Sequence, residues 1–214
     1  MVRIQGLGAP DTLEDERIVN ITRSTLLGLA LVVIVTSACT QTTGSKETPL
    51  YLRNGNYPLQ IGLYDLYRTK QADVVMLGNS ITFGVDWNEL LGRTSIVNRG
   101  IPSDITEGFL HRLDYVYKLH PRLCFVMAGI NDLYADVNLE TVFQNYRSII
   151  DQLLAHQIKP IVQSTLYVST KWKRYEAKNL EVEHLNQLLK ALADDRNLPF
   201  IDLNALMSNG HLLR

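Results

Sequence analysis

The chain has 214 residues, a formal net charge of −1 and 46% hydrophobic residues. This hydrophobic fraction supports a packed core and excludes a disordered chain, and the near-zero charge offers no basic surplus for binding nucleic acid. Two cysteines allow neither a disulfide framework nor a Cys/His metal site. The length fits one domain with an N-terminal extension.

The first 45 residues differ in character from the rest. Leu26–Val35 is an unbroken apolar run, preceded by Arg23 and followed by small residues. As a helix it is too short to span about 30 Å of hydrocarbon, and it has the length of a signal-peptide core. The stretch TSAC, which ends at Cys39, resembles a bacterial lipoprotein signal, in which the cysteine is lipidated. Plain secretion and a short membrane anchor are the alternatives.

These features predict three parts of the chain. Residues 1–39 form an extension with a lipoprotein-type signal, residues 40–50 a polar tether, and residues 51–214 a folded domain. We expect the protein in the bacterial cell envelope, lipid-anchored at the membrane through Cys39 or secreted to the periplasm. Cys124 lies in an apolar run and is predicted to be a buried, inert thiol.

Beyond the tether, apolar runs of strand length alternate with segments of helix length. The predicted strands are Asp73–Leu77, Ser95–Asn98, Leu123–Ala128, Pro160–Leu166 and Pro199–Leu203. The predicted helices are Ser103–Lys118, Leu139–His156 and Glu176–Asp195, each with apolar residues at helical spacing. This alternation predicts a single α/β domain: a doubly wound, five-stranded parallel sheet with helices on both faces.

Small polar residues follow the first three predicted strands. They are Gly78-Asn79-Ser80, Asn98-Arg99-Gly100 and Gly129-Ile130-Asn131-Asp132. Binding sites of such sheets form where the carboxyl ends of the strands meet. Ser80 therefore offers a hydroxyl nucleophile and a backbone N–H, while the Gly100 N–H and the Asn131 amide are predicted to converge with it on one substrate oxygen. Three such donors suit acyl transfer.

Three motifs carry a resemblance to a known family. The stretches LGNSIT (Leu77–Thr82), NRGIPSD (Asn98–Asp104) and AGINDL (Ala128–Leu133) occur in the order seen in the SGNH (GDSL-like) hydrolases. The resemblance implies a flavodoxin-like fold and a serine esterase or lipase, similar to lysophospholipases, platelet-activating-factor acetylhydrolases and sugar O-acetylesterases. It implies Ser80 as nucleophile, Gly100 and Asn131 as oxyanion donors, an acylated sugar or lipid as substrate, and no cofactor.

Each of these residues also has a purely structural interpretation. Ser80 is alternatively a helix-capping serine, Asn131 a turn or capping asparagine, and Gly129 an ordinary turn glycine. Asp132 is predicted to cap the segment that follows it. A phosphate-binding loop is excluded because no Gly-Lys-Ser/Thr follows Gly78–Gly84, and no G-x-G-x-x-G opens a helix here.

The general base is the part of the candidate site that the sequence identifies least clearly. The family resemblance implies a histidine with an aspartate three residues before it, in a loop after the fifth strand. Only His184 has an acid at that spacing, Glu181, but it lies inside a predicted helix, where the two form a solvated pair. His211 lies in the expected region and is the substitute candidate. His156 has no acid three residues before it, and His111 and His120, which flank a predicted helix, are predicted to be surface or packing residues.

The chain stops at Arg214, before an Asp-x-x-His block. We therefore expect a C-terminally incomplete member of the family that lacks its last helix. The alternative function is a catalytically impaired fragment or a binding domain that keeps the fold. The segment Leu166–Arg174, with Trp172 and several cations, is predicted either to form a rim for a sugar or anionic substrate or to be a solvated basic loop.

Overall fold

The computed structural model describes residues 47–209 and 212–213. Cys39, the apolar run Leu26–Val35 and His211 lie outside the described residues, so the lipidation and substitute-base hypotheses stay predictions. No helix within the described ranges is long and apolar enough to cross a membrane.

A five-stranded parallel sheet in the order β2-β1-β3-β4-β5 forms the centre of the fold. The strands are β1 (Val74–Gly78), β2 (Ile96–Gly100), β3 (Leu123–Met127), β4 (Lys159–Gln163) and β5 (Phe200–Ile201). A two-residue antiparallel pair, β6 (Ser208–Asn209) and β7 (Leu212–Leu213), follows them. The predicted α/β class and the parallel sheet are therefore confirmed.

Nine α-helices lie in the described ranges. They are α1 (Asn56–Leu66), α2 (Ser80–Phe83), α3 (Trp87–Leu91), α4 (Thr106–Leu110), α5 (Asp114–Tyr117), α6 (Ile130–Tyr134), α7 (Leu139–Ala155), α8 (Tyr175–Asp195) and α9 (Leu203–Met207), and a 3-10 turn at Leu50–Arg53 precedes them. Asn79, Asp86, Asn138 and Asp202 cap α2, α3, α7 and α9 with side-chain oxygens.

Both faces of β1 are covered. Val75, Met76 and Leu77 of β1 are all buried, although consecutive strand residues point to opposite faces of a sheet. The largest buried cluster joins β1, β3 and β4 to α4, α7 and α8. Cys124 lies in it, fully buried, as predicted, and burial raises the pKa of its thiol.

The predicted helix Ser103–Lys118 is wrong. The structure has two short helices, α4 and α5, joined by a turn in which the Arg112 N–H donates to the Phe109 carbonyl three residues back. This turn places the Arg112 side chain in the interior. The predicted ends of the fourth and fifth strands are also too long, because Thr165 N–H donates to the Asn186 side chain of α8 instead of to a strand.

Candidate functional site

Ser80 is the first residue of α2 and is exposed at the carboxyl end of β1. The preceding Asn79 is buried, and its side-chain oxygen accepts the Ile81 N–H at 3.0 Å, which fixes the turn. Among the described residues no acceptor takes the Ser80 N–H, and none bonds its hydroxyl. Both groups of Ser80 therefore remain available to a ligand.

Asn98, in the middle of β2, binds the C-terminal end of the same short helix. Its side-chain amide donates to the carbonyls of Thr82, Phe83 and Val85 at 2.9 to 3.1 Å. These carbonyls lie at the C-terminus of α2, where intrahelical partners are missing. The helix α2 is thus bound to the neighbouring strand at its C-terminal end as well as fixed at its N-cap.

Gly100, the predicted oxyanion donor, has an intramolecular partner for its N–H. Its N–H donates to the Asn98 side-chain oxygen at 2.8 Å, so the predicted oxyanion donor is already paired in this structure. The glycine instead allows close approach of two backbones. A Cβ at Gly100 would lie 2.3 Å from the Phe83 nitrogen and 2.9 Å from the Asn79 carbonyl oxygen, so any side chain would collide with α2.

Ser103, in the loop after β2, is a candidate donor that sequence reasoning missed. It has a left-handed backbone, with φ of 59°, and it is exposed. Its N–H has no acceptor within the residues that the structure describes. Serine gives no local signal of a positive φ, which is why the sequence pointed to the nearby glycine instead.

Asn131, the second residue of α6, reaches across to that loop. Its side-chain nitrogen donates to the Asp104 carbonyl at 2.8 Å, directly beside Ser103. An asparagine amide carries two hydrogens, and no second acceptor takes the other one in the described part of the chain. The hydrogen bond therefore brings the predicted donor of β3 to the loop that follows β2.

Asp132 does not cap its own following segment. It is buried, and its carboxylate accepts the Thr106 N–H at 3.0 Å and the Thr106 hydroxyl at 2.5 Å, so it caps α4 from across the sheet edge. Burial raises the pKa of Asp132 to about 7, and the hydrogen bonds from Thr106 oppose that rise. Asn131 and Asp132 together bind both ends of the segment Asp104–Thr106.

A second buried carboxylate, Asp104, faces Arg112. The two form an ion pair of 2.7 Å with both side chains fully buried. Burial raises the pKa of Asp104 to about 6, although the Arg112 charge works in the opposite direction. A Cβ at Gly108 would lie 2.0 Å from the Asp104 carboxylate, so α4 packs directly on this pair.

None of the histidines in the described ranges is bonded to Ser80. His184 is exposed within α8, as expected, but its presumed partner Glu181 pairs with Lys178 at 3.0 Å instead. His111 and His156 stack on tyrosine rings, and His120 is exposed. The surface or packing roles predicted for His111 and His120 agree with these observations.

The segment Leu166–Arg174 is connected to α6 through aromatic rings. Trp172 is 47% exposed and stacks on Tyr134 with 4.3 Å between ring centroids. Tyr134 lies three residues after Asn131, on the same side of the helix. Lys171, Lys173 and Arg174 are exposed. The stacking on Tyr134 thus connects Trp172 to the helix that carries Asn131, and the three cations are its neighbours in the sequence.

No cluster of three or more His, Cys, Asp or Glu side chains suited to a metal ion occurs in the described ranges. What gathers at the sheet edge is an exposed serine, backbone N–H groups and an amide, on the carboxyl ends of three adjacent parallel strands. This arrangement defines an α/β enzyme with its site at the usual edge of the sheet.

The chain belongs to the GDSL-like lipase/acylhydrolase family, whose model matches residues 76–214. A GDSL-like lipase of Bacteroides thetaiotaomicron is 27% identical, with a TM-score of 0.62 over 72% of this chain and 81% of that one. A lipase/acylhydrolase of Enterococcus faecalis, 22% identical, shares the fold, with a TM-score of 0.55 over 64% of this chain and 78% of that one. Family membership assigns the chain to the carboxylic ester hydrolases.

A curated relative matches a shorter stretch. The N-acylneuraminate cytidylyltransferase of a Streptococcus agalactiae serotype V strain is 27% identical over 84 residues, or 39% of this chain. The match spans only 20% of that protein's length. The matched stretch is therefore less than half of either protein.

Proposed function

We propose that the protein hydrolyses carboxylic esters with Ser80 as nucleophile. The Ser80 oxygen attacks the ester carbonyl carbon and forms a tetrahedral intermediate, the alcohol leaves, and water then releases the acid from the acyl-serine. A base must accept the Ser80 proton. His211, outside the described residues, stays the candidate that the sequence offers for this role.

The developing oxyanion is stabilised by three donors in this proposal: the N–H groups of Ser80 and Ser103 and the free amide hydrogen of Asn131. The observation that carries it is the hydrogen bond from the Asn131 side chain to the Asp104 carbonyl, because it brings the donors after β2 and β3 together. Ser103 takes the place of Gly100, whose N–H is paired with Asn98. Removing one such donor typically costs about 100- to 1000-fold in rate.

The test compares four forms of the full chain in p-nitrophenyl acetate hydrolysis. Ser80→Ala should abolish turnover above background, and Asn131→Ala should reduce kcat by about 100-fold or more. Ser148→Ala, an exposed serine on α7, is the matched control and should behave as the unaltered chain. Mass spectrometry should find a fluorophosphonate adduct on Ser80.

Equal rates for the unaltered chain and Ser80→Ala would defeat the proposal. They would favour the alternative of a binding domain or impaired fragment that keeps the fold. A rate that depends on Ser80 but not on Asn131 would keep the nucleophile and refute the oxyanion site.

For the substrate, we propose an acylated sugar or lipid. The exposed face of Trp172, stacked on Tyr134 beside Asn131, offers a flat apolar surface for the alcohol part of either. Comparing kcat/KM for an acetylated sugar and a lysophospholipid, in the unaltered chain and in Trp172→Ala, separates the two. A variant with unchanged kcat/KM for both substrates would remove Trp172 from the site.

The envelope location also stays a proposal, based on the apolar run and Cys39 alone. A Cys39→Ala variant should lose its partition into the membrane fraction of a bacterial host. A variant that still sediments with membranes would contradict lipidation.

A further inference from the structure

Arg112 lies in the turn between α4 and α5, with its side chain fully buried. All three of its nitrogens donate hydrogen bonds. Nε donates to the Asp104 carboxylate at 2.7 Å, Nη1 to the Arg99 carbonyl at 2.7 Å, and Nη2 to the Gly78 carbonyl at 3.0 Å. The guanidinium also stands 4.5 Å over the Phe109 ring.

The acceptors of Arg112 belong to the two segments that carry the site. Gly78 is the last residue of β1 and stands two residues before Ser80. Arg99 and Asp104 lie on either side of the loop that carries Ser103, and the Asp104 carbonyl accepts the Asn131 amide. One rigid group therefore fixes the distance between the nucleophile turn and the loop with the proposed oxyanion donors.

Stability alone is a weak reason for this arrangement. A buried ion pair loses much of its attraction to desolvation, and replacing both partners by neutral groups is often harmless to stability. A lysine or an apolar residue lacks the planar guanidinium group, whose N–H groups donate hydrogen bonds in several fixed directions at once. The acceptors of Arg112 are Gly78 in β1 and, on the two sides of the loop after β2, Arg99 and Asp104, so the planar guanidinium suits the positioning of these two segments relative to each other.

We propose that Arg112 is a positioning residue for the site: it holds the Ser80 turn and the Ser103 loop at the separation that the reaction needs. The proposal rests on the ester hydrolysis proposed above. Arg112 acts only through Gly78, Arg99 and Asp104, since it is buried beneath them. Its loss should therefore lower kcat while substrate affinity stays nearly unchanged.

The first test uses Arg112→Lys and the double variant Arg112→Met/Asp104→Asn in the full chain. The double variant removes both buried charges, so it keeps the test meaningful if a lone substitution fails to fold. Each should lose about 30- to 100-fold in kcat, with KM within about threefold, because a displacement near 1 Å at a reacting group costs this much. Tyr146→Phe is the matched control, since its hydroxyl is also buried and donates to the backbone carbonyls of Val126 in β3 and Gln163 in β4, and neither acceptor belongs to the Ser80 turn or the Ser103 loop.

The melting temperature separates positioning from stability. A structural role alone predicts that activity recovers in the double variant together with its melting temperature. The positioning role predicts a kcat that stays low in a folded double variant. Wild-type kcat in either folded variant would overturn the proposal, as would an equal loss in Tyr146→Phe.

Amide hydrogen exchange tests the same proposal without any turnover. Arg112→Lys should speed exchange by about tenfold at a hydrogen-bonded amide of each segment, Phe83 in α2 and Ile101 in the loop after β2, whereas Tyr146→Phe should leave both unchanged. If hydrolysis does not depend on Ser80, the proposed function fails, and this measurement still decides on Arg112. Unchanged exchange in either segment would overturn the positioning role.

Discussion

A methyl group at Gly100 is the sharpest single perturbation that the structure offers. The Cβ of Gly100→Ala would lie 2.3 Å from the Phe83 nitrogen and 2.7 Å from the Phe83 Cα. Ordinary van der Waals contact begins at 3.4 Å. Both neighbours are backbone atoms, so rotating a side chain relieves nothing, and α2 must retreat from β2 by about 1 Å.

That retreat moves the first residue of α2, which is Ser80. A misplacement of about 1 Å at a reacting group costs about 100-fold in kcat, equivalent to about 3 kcal/mol of transition-state stabilisation. The Gly100 N–H remains in place in this variant. The loss would therefore report the position of Ser80 and not the removal of a donor.

The assay is p-nitrophenyl acetate hydrolysis by the full chain, with Ser80→Ala as background and a thermal melt of each variant. Gly62→Ala is the matched control, because nothing lies within 4 Å of a Cβ there and alanine favours the α1 helix. It should keep full activity. A folded Gly100→Ala variant with wild-type kcat would refute the argument that this close approach holds Ser80 in place.

Three further predictions concern single residues. Ser103→Gly should raise the free energy of unfolding by up to about 1 kcal/mol with kcat retained, since glycine tolerates the positive φ; a lower melting temperature would contradict this. The raised pKa of Asp132 means that the folded chain holds its proton more tightly than the unfolded chain, so stability falls as pH rises from about 4 to about 7. Asp132→Asn should remove about 3 kcal/mol of the difference between pH 5 and pH 8 in urea unfolding, and an unchanged slope would refute the assignment. Cys124, in a Cys39→Ala background, should react with a thiol reagent only as fast as the chain unfolds; rapid labelling of the native chain would show that its burial is wrong.

The secondary structure was predicted best where the sequence has a continuous hydrophobic pattern. The apolar runs that form β1 and β3 and the stripe that forms α7 predict elements within a residue or two of their observed bounds. The helix predicted over Ser103–Lys118 broke into two because Arg112 lies three residues after Phe109, on the buried side of the stripe. Its position among apolar residues was the one available signal that this arginine turns inward.

The sequence predicted which residues lie at the candidate site better than it predicted the contacts that each of them makes. Ser80 and Asn131 stand at the expected strand ends, since parallel topology puts them there. The predicted role of Gly100 stays a prediction, and the sequence did not reveal that the Asn98 side chain, two residues earlier, accepts the Gly100 N–H. The left-handed Ser103 and the cap that Asp132 provides for α4 depend on contacts between distant segments, which a local pattern does not contain.

The order of the sheet has an evolutionary consequence. The strands that carry Ser80, Ser103 and Asn131 are both consecutive along the chain and adjacent in space, within residues 74–134. Within this half of the domain, hydrogen bonds of Asn98, Arg112 and Asp132 connect the segments that carry the three residues, while α7 and α8 complete its core. The loops that follow β4 and β5 can therefore change in length or sequence without altering these connections. Substitutions confined to the second half of the chain can therefore adapt this fold to new substrates, or to a general base that comes from a different position.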